Sequence, residues 1–473
     1  MLSLCLFSCN SIDKESKAQT INYTKLLDEF MQAEVDVNNF SGTILVMKDD
    51  KPLLKKAYGL ADREWNVPNT IDTKYRIASN TKQFTAACIL QLEEQGKLSL
   101  NDKLSKYFPG FEYGDTVTIH MLLTHSSGIE DYFGLKEFNL KPTVISKDSL
   151  VALLKTKLYN FMPGYDISYS NSGYFLLGMI VEKVSGESFE NYLNEHVLKV
   201  AGMNNTGIDR YDTILSNRAK GYLISSGKIT NAFDANYTWD LMFAVGSMYS
   251  TVEDMYRWDR ALIGNKILSN ESKQKMYFPY GFSIADKKKK ADPSITMPQS
   301  IDPLWYNLGY GVWVDTLMTH KRIFSRGGTS GFYSTIYRYV NDNIFIAVLQ
   351  NNEENPDRIA EPLSAILFGK EVEKPYKHKP YKINPEILKR YTGKWIGKTY
   401  EATWTVEIFI SKNKLYRRIS DNPDVELVPE SDTKFYYSES PDKQFEFIEN
   451  GDKEINQAWF TMNGVKFRRD KIK

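Results

Sequence analysis

The apolar residues of the chain form two kinds of pattern, and the first kind predicts β-hairpins. Residues 42–59 contain two strand-like runs around the polar residues 48–51, and residues 332–350 contain two more around residues 341–343. Short β-rich runs joined by Asn, Asp and Lys are typical of antiparallel hairpins. We therefore predict one hairpin near the start of the chain and another much later in it.

The sequence between these hairpins is mostly helical and loop-like. A helix is predicted from about residue 79 to 95, and another from about 172 to 185. In the first, Phe84, Cys88 and Leu92 recur at helical spacing and can share one face. Hairpins that bracket a helical middle predict an α+β fold, in which an antiparallel sheet is flanked by helices in three layers and a helical subdomain is inserted.

The last part of the chain has a different character. Residues 369–382 are rich in Pro and Lys and have no apolar period, so they predict a linker. Beyond them, every second residue is apolar, as on one face of a strand, at Trp404, Val406, Ile408 and Ile410. Asn-Gly dipeptides mark tight turns between such runs. This alternation predicts a small antiparallel β domain, either a barrel or a sandwich. The predicted organisation is an N-terminal segment at 1–24, a main domain at 25–368, the linker, and the β domain at 383–473.

Composition narrows the functional classes. The 473 residues include 60 basic and 59 acidic side chains, which leave a formal net charge of +1. This balance argues against a nucleic-acid partner, because such partners require a basic surface. The three cysteines and five histidines have neither the spacing of a disulfide framework nor that of metal ligands, so we expect no metal.

The first residues, MLSLCLFSCNS, resemble the end of a bacterial lipoprotein signal in which Cys9 is the lipidated residue. The basic region and the full apolar core of such a signal are missing, so the alternative is an ordinary disordered start. A lipid on Cys9 would place the protein in an extracytoplasmic space, the periplasm or the cell surface. It is the only membrane attachment that we expect, because no later segment approaches the ~20 continuous apolar residues of a membrane span.

A serine three residues before a lysine is the first candidate catalytic feature. The pattern Ser-x-x-Lys occurs seven times, so it carries little information alone. Only Ser79 with Lys82 opens a helix-like apolar run, where residues three apart are neighbours. A lysine kept neutral by burial or by another cation can accept a serine proton, and a helix N-terminus favours developing negative charge. The alternative is a serine N-cap beside a solvent-facing lysine.

A second feature is a tyrosine on a loop ahead of the second predicted helix. Tyr169 follows a turn at Pro163 and Gly164 and is followed by Asn171. A tyrosine whose pKa is lowered by a nearby lysine can relay protons to a leaving group, and an asparagine can donate to a substrate carbonyl. Because Tyr-x-Asn also occurs twice elsewhere, the alternative is a buried tyrosine and a capping asparagine.

Paired glycines form the third feature, in the segment FSRGGTSGF at 324–332, directly before a predicted strand. Gly327 and Gly328 allow a ligand to approach the backbone closely. One N–H group there, together with that of Ser79, can complete an oxyanion hole. The alternative is a glycine-rich strand start with no partner site.

These three features, in this order, resemble the serine β-lactamase and penicillin-binding-protein-like family, specifically its class C-type and esterase branch. The resemblance runs from about residue 35 to 368. It includes the stretches YRIASNTKQF, MLLTHSSGI, PGYDISYSNSGYFLLGMIVEKVSG, VAGMNNT, GSMYSTVEDMYRW and LGYGVWV. The C-terminal domain is similar to the small β domains that many members carry.

The resemblance implies a role for each matching position. Ser79 matches the nucleophile that forms an acyl-enzyme, Lys82 matches its base partner, and Tyr169 matches the proton-relay tyrosine. Asn171 matches the residue that holds the substrate amide and the lysine. Gly328, with the N–H of the nucleophile, matches the oxyanion hole. No cofactor is implied.

One position departs from the family pattern. The third family motif begins with Lys or His, followed by any residue and Gly, whereas this chain has Ser325, Arg326 and Gly327. The family cation tunes the tyrosine and often binds a substrate carboxylate. Arg326 or Arg322 is an alternative source of that charge, although a neighbour along a strand usually points to the other face.

We therefore predict a serine hydrolase that cleaves an ester or amide of a small-molecule or peptide substrate. An esterase or peptidase acting on small or D-amino-acid-containing compounds comes first. A true β-lactamase or DD-carboxypeptidase is the alternative within the family. It ranks second because its substrates carry a carboxylate and Ser325 replaces the cation that would bind this carboxylate. A non-catalytic relative that binds a cell-wall or peptide ligand is the alternative from another class.

Overall fold

The computed structural model describes residues 22–136, 145–210, 212–225, 227–232, 239–281, 307–400, 402–420, 422–451 and 454–472. The N-terminal segment with Cys9, which we expect to carry a lipid, lies outside these residues. Within them, no helix combines the length and the apolar character needed to cross a bilayer.

Six antiparallel strands form the central sheet of the main domain. They are β1 (Gly42–Lys48), β2 (Lys51–Tyr58), β3 (Trp313–Leu317), β4 (His320–Thr329), β5 (Phe332–Tyr339) and β6 (Ile344–Gln350). Their spatial order is β3-β4-β5-β6-β1-β2. The two predicted hairpins are β1–β2 and β5–β6, and they meet where Gly42 pairs with Gln350.

Helices cover both faces of this sheet. The helices α1 (Tyr23–Asn38) and α4 (Asp357–Leu367) lie on one face, and α2 (Thr81–Glu94) and α3 (Asn171–Ser185) belong to the helical region on the other. Apolar residues of the strands point alternately to the two faces of the sheet, which form separate cores. Val46 belongs to the core on the side of α1 and α4, and Leu45 belongs to the core on the side of α2 and α3. The predicted three-layer α+β fold is confirmed.

The other helices and strands of the main domain have between 2 and 12 residues. The α-helices are Leu104–Tyr107, Ile119–Leu123, Lys147–Lys155, Phe189–Leu193, Lys199–Ala201, Trp239–Gly246, Val252–Ile263 and Asn270–Met276, with a π-helical turn at Asn194–Leu198 and 3-10 turns at Ala78–Asn80 and Tyr132–Gly134. The strands are Leu60–Asp62, Val67–Pro68, Tyr75–Arg76, Gly207–Ile208, Tyr222–Ser225, Lys228–Asn231 and Met248–Ser250.

The helix α2 is the buried centre of the helical region. Every residue from 81 to 92 is buried, including Lys82 and Gln83. The sequence predicts a single apolar face for this helix, but a helix surrounded by protein is buried all round. Its polar side chains must therefore find partners inside the protein.

Eight strands after the linker close into an antiparallel barrel, as the sequence predicts for the C-terminal β domain. They are β7 (Gly393–Thr399), β8 (Ala402–Ser411), β9 (Lys414–Arg418), β10 (Val425–Pro429), β11 (Lys434–Tyr437), β12 (Lys443–Glu449), β13 (Ile455–Met462) and β14 (Val465–Lys471). The turn at Asn463 and Gly464 has φ values of 51° and 78°, which suits a two-residue hairpin. A 3-10 helix, Pro385–Tyr391, precedes the barrel.

Candidate active site

Ser79 lies in the 3-10 turn that leads into α2. Ala78, directly before it, has a φ of 45°, a left-handed conformation that costs energy in a residue with a Cβ atom. The turn is tied to its surroundings: the N–H of Ile77 donates to the carbonyl of Met248 at 2.9 Å, and the hydroxyl of Ser334 donates to the carbonyl of Ile77 at 3.0 Å. The serine is thus presented at a fixed point.

Lys82 is 2% exposed, and its ammonium group has three acceptors within reach. Nζ lies 2.9 Å from the carbonyl of Val245, 2.9 Å from Oδ1 of Asn171 and 3.1 Å from Oγ of Ser79. A neutral amine keeps two N–H groups, which the first two acceptors can hold while its lone pair faces the serine. This burial rules out a solvent-facing lysine beside a serine N-cap.

The hydroxyl of Tyr169 donates to Oγ of Ser79 at 2.8 Å, so the serine oxygen lies between the tyrosine and the lysine. The ring of Tyr169 stacks on His125 with centroids 4.6 Å apart. The backbone N–H of Ser170 donates to Nδ1 of that histidine at 3.0 Å. These contacts hold the phenol in one orientation.

Asn171 is the first residue of α3, and the capping role belongs instead to the Ser170 hydroxyl, which accepts from the N–H of Gly173. One amide N–H of Asn171 donates to Oδ2 of Asp131 at 2.8 Å, while its oxygen accepts from Lys82. The asparagine therefore connects the lysine to a carboxylate. With one N–H group occupied in this way, only the other is left to donate to a substrate carbonyl.

Burial sets the protonation states of the site. It lowers the pKa of Lys82 to about 7, against the opposing effect of the Asp131 charge, so a large fraction of the lysine is neutral near neutral pH. Burial lowers the pKa of His125 to about 3, which keeps the imidazole neutral. Burial also raises the pKa of Tyr169, whereas the sequence-based interpretation expected a lowered value. The tyrosine is accordingly a proton donor in the resting site.

The glycine-rich motif lies against the turn that carries the serine. Residues 324–329 belong to β4, so the motif is the end of a strand and not the segment before one. A Cβ atom on Gly327 would lie 2.0 Å from the carbonyl oxygen of Ile77 and 3.0 Å from the N atom of Asn80. Only glycine allows this approach of strand to turn. Gly328 is the next residue of the strand and is exposed.

Ser325 is buried on the same face of β4 as Gly327. Its hydroxyl accepts from Nε2 of Gln83 at 3.0 Å, and the indole N–H of Trp258 donates to Oε1 of the same glutamine at 2.7 Å. The side chain next to Lys82 in α2 thus occupies the space beside Ser325. A neutral amide, held by an indole, contacts the position where the family has a cation.

Arg326 does not take the place of that cation. It lies on the opposite face of β4, where it forms an ion pair with Asp357 at the start of α4. Arg322 is on the same face as Arg326 and pairs with Asp315. The structure therefore does not bring Arg326 to Ser79, and neither arginine can meet a substrate carboxylate there, because successive strand residues point to opposite faces.

The sequence-based reasoning missed several residues of the site. They are Gln83, His125 and Asp131, together with the carbonyl of Val245. The first is adjacent to Lys82, and the second lies inside the family-like stretch MLLTHSSGI, but neither shows a catalytic spacing. Among the described residues, no group of three or more His, Cys, Asp and Glu side chains is arranged to hold a metal.

Known proteins resemble the chain over most of its length. A family model described as Beta-lactamase matches residues 25–369. Penicillin-binding protein 4* of Bacillus subtilis (strain 168) is 28% identical over 437 residues, which cover 88% of this chain and 92% of that protein. The octameric penicillin-binding protein homologue from Pyrococcus abyssi has a TM-score of 0.63 and 25% identity, over 94% of this chain and 99% of that one. D-amino acid amidase from Ochrobactrum anthropi SV3 shares the fold at 20% identity, with a TM-score of 0.58 over 74% of this chain and 98% of that one.

Proposed function

The chain belongs to the Beta-lactamase family of serine hydrolases, and from that membership we propose that it cleaves an ester or amide through an acyl-enzyme on Ser79. The observation that carries the proposal is the position of the Ser79 oxygen, 3.1 Å from a buried amine and 2.8 Å from a phenol. Acyl transfer requires a nucleophile, a base whose pKa lies near the working pH, and a proton donor, all within hydrogen-bond distance of one another.

In the proposed acylation step, neutral Lys82 accepts the proton of Ser79 as the serine oxygen attacks the substrate carbonyl. The new C–O bond turns that carbonyl into an oxyanion. As the intermediate collapses, Tyr169 gives its proton to the leaving group, and Lys82 returns a proton to the phenolate. This order of proton transfers suits a tyrosine whose pKa is raised by burial, because its phenolate form is unfavourable and takes up a proton as soon as one is available.

Deacylation reverses the roles. A water molecule attacks the acyl-enzyme carbonyl, and its proton passes to the base formed by Lys82 and Tyr169, while Ser79 leaves with a proton restored to its oxygen. We propose that the N–H groups of Ser79 and Gly328 hold the oxyanion in both steps. The close approach of Gly327 to the serine turn supports this assignment, because it brings the two backbone segments together.

For the substrate, we propose a small ester or amide, including D-amino-acid derivatives, ahead of a β-lactam or a D-Ala-D-Ala peptide. The latter two present a carboxylate, and an unpaired charge is costly to desolvate. The residues beside the proposed acyl pocket offer the Ser325 hydroxyl and the Gln83 amide, which are hydrogen-bonded to each other, in place of a cation. Recognition of a neutral substrate fits these groups better.

The test is a panel of three substrates: p-nitrophenyl acetate, D-phenylalanine p-nitroanilide and a chromogenic cephalosporin. We expect turnover of the ester or the anilide with kcat/KM well above that for the cephalosporin. Preferential turnover of the cephalosporin would reverse the substrate ranking. Failure of every substrate, together with failure of a fluorophosphonate to label the protein, would favour a ligand-binding relative without turnover.

The rate of acylation should depend on pH through the Lys82 amine. Because the lysine accepts a proton only when neutral and its pKa is about 7, kcat/KM should be low below neutrality, rise through it and level off above it. The Asp131 charge raises this pKa, so Asp131→Asn should move the rise to lower pH. The measurement is the initial rate of ester hydrolysis against pH.

The control for this profile is Asp148→Asn, which removes an exposed carboxylate from the helix Lys147–Lys155 and should leave the profile unchanged. Asparagine at 131 can still accept from Asn171 through its one carbonyl oxygen, while its amide group loses the bond that Oδ1 accepts from the N–H of Phe133. A profile that moves to higher pH in Asp131→Asn would contradict the assignment of Lys82 as the base.

Restoring a cation at position 325 should broaden the substrate range. Ser325→Lys places an ammonium group on the face of β4 that contacts the serine turn, so we expect cephalosporin turnover to rise by about tenfold, the equivalent of one charge-assisted hydrogen bond. Ser325→Met has a similar length without the charge and serves as the control. Equal effects of Lys and Met would show that space, and not charge, limits the reaction.

A further inference from the structure

The barrel is filled at one end and hollow at the other. At the filled end, the 3-10 helix Pro385–Tyr391 inserts Leu388 and Tyr391, and the latter stacks on Phe447 with ring centroids 4.4 Å apart. At the hollow end lies a cavity of about 1060 Å³. Small-molecule sites typically occupy cavities of this order, about 300 to 1,000 Å³.

The inward-facing side chains of the barrel strands line the cavity. They include Val406, Phe445, Phe460 and Met462, with Trp404 at the exposed mouth. Residues of β3, β4 and α4 of the main domain line the rest of the cavity. The hydroxyl of Tyr400 donates to Oε2 of Glu361 across this boundary at 2.8 Å. The wall is therefore mostly apolar, as expected for a site that holds a hydrocarbon or aromatic body.

Two arginines project into this apolar space. Arg469 is 1% exposed, and Arg417 lies over the ring of Tyr437 at 5.2 Å. The terminal nitrogens of Arg469 donate to the carbonyls of Lys398 and Arg468 and to the Thr399 hydroxyl, so its Nε is the nitrogen left for a ligand. Both guanidinium charges act to lower the pKa of Tyr437, which burial nevertheless raises to about 12, so the three groups share one region of the cavity. Neither arginine forms a salt bridge with any carboxylate among the described residues.

Several guanidinium nitrogens in the lining have no hydrogen-bond partner within the described part of the chain. They are Nε and Nη1 of Arg417, Nε of Arg469, Nε of Arg326 and Nη1 of Arg322. A buried charged donor without a partner costs free energy, and such groups normally contact an anion or water. Arg322 and Arg326 are already paired with Asp315 and Asp357, so the uncompensated charge beside the cavity is that of Arg417 and Arg469, and an anionic acceptor suits these two best.

The acidic side chains of the lining do not supply that charge. Asp315 is already paired with Arg322, and the carboxyl of Glu361 accepts from Tyr400. Burial raises the pKa of Glu361, which favours its neutral form. Lys443, at the start of β12, adds a further positive charge to the wall. The cavity therefore has an excess of positive charge.

We propose that the hollow end of the barrel binds a small amphipathic anion, with its acidic head at Arg417 and Arg469 and its apolar body along Phe445 and Phe460. Charge-assisted hydrogen bonds to guanidinium groups hold the head, and burial of the body supplies the remaining affinity. The ligand class is a carboxylate on an acyl chain or aromatic ring. This site is separate from Ser79 and gives the C-terminal domain a role of its own.

The test uses the full chain and three probes that share a straight chain of twelve carbons, each kept below its micelle concentration or its solubility limit: dodecanoate, dodecanol and dodecyltrimethylammonium. In isothermal titration calorimetry, dodecanoate should bind at one site per chain, at least about tenfold more tightly than either control, because only it pairs with the arginines. It should also raise the melting temperature of the wild-type protein, a readout that needs no variant. Equal binding of the anion and the cation would overturn the proposal.

Matched variants locate the binding. Arg417→Met should weaken dodecanoate binding by about tenfold or more, since the head loses a charged partner. Arg418→Met on the same strand removes an exposed arginine paired with Asp424 and should leave binding unchanged. Ser79→Ala should also leave binding unchanged. Equal effects of the two arginine variants, or loss of binding in Ser79→Ala, would place the ligand elsewhere and refute the assignment.

Discussion

Ser79→Ala is expected to lower ester turnover by about a thousandfold or more and to abolish labelling by a fluorophosphonate. The serine oxygen is the only atom that the proposed mechanism joins to the substrate, and removal of a nucleophile that acts together with its base costs rates of this size. The variant keeps Lys82 bound to Asn171 and to the Val245 carbonyl, so the fold should survive. Intact-mass spectrometry after labelling, and initial rates, are the measurements.

The chain supplies its own control for this substitution. Ser411 also stands three residues before a lysine, but Lys414 is exposed and forms an ion pair with Glu426 on the neighbouring strand of the barrel. Ser411→Ala should therefore leave labelling and turnover unchanged. If Ser79→Ala retained labelling at the wild-type level, the nucleophile would be another residue and the proposed function would fail.

Gly327→Ala is expected to cost both activity and stability. The added methyl group would lie 2.0 Å from the carbonyl oxygen of Ile77, and this contact is with backbone, so no flexible side chain can move aside. The strand or the serine turn must shift instead. We expect a loss of about 2 kcal/mol in the free energy of unfolding, as for other overpacked sites, and a fall of about a hundredfold in kcat/KM from misplacement of Ser79.

Gly134→Ala is the matched control, since nothing lies within 4 Å of the position its Cβ would occupy. This glycine is close in sequence to Asp131 and is exposed, so the two variants differ mainly in steric contact. Chemical denaturation gives the stability change, and ester hydrolysis gives the rate. If Gly327→Ala kept the stability and the hydrolysis rate of the wild type, the strand would be able to shift without moving the nucleophile.

Periodicity and turn chemistry were sufficient to predict the fold class. The hairpins β1–β2 and β5–β6 follow from apolar runs separated by polar turns, and Asn463 and Gly464 adopt the positive φ values that their residue types favour. The barrel was predicted only as one of two choices. Closure depends on strands β7 and β14 pairing, a contact between distant segments that no local pattern encodes.

The candidate site was predictable where a motif and its neighbourhood agreed. Ser79 and Lys82 stand out among seven copies of the same spacing because an apolar helix follows them. The structure adds contacts with residues that lie far along the chain. Asp131 accepts a hydrogen bond from Asn171, and the carbonyl of Val245 accepts one from Lys82. No sequence spacing relates these residues, because three-dimensional packing alone brings them together.

Two expectations about charge were wrong for physical reasons that the sequence does not reveal. The pKa of Tyr169 is raised because burial of the phenol outweighs its hydrogen bond to Ser79. Arg326 faces away from the serine because it occupies the opposite face of β4, where Asp357 neutralises it. Both results depend on which side chains the folded protein buries and on which face of a strand each one lies.

The strand β4 separates two compartments with a single layer of backbone. Ser325 contacts α2 and Gly327 contacts the turn that carries the serine, whereas Phe324 and Arg326 line the barrel cavity. A substitution at position 325 or 327 therefore alters the surroundings of the serine and leaves the cavity wall unchanged, and a substitution at position 324 or 326 does the reverse. Protein engineering can accordingly alter the two compartments independently, although they share a strand.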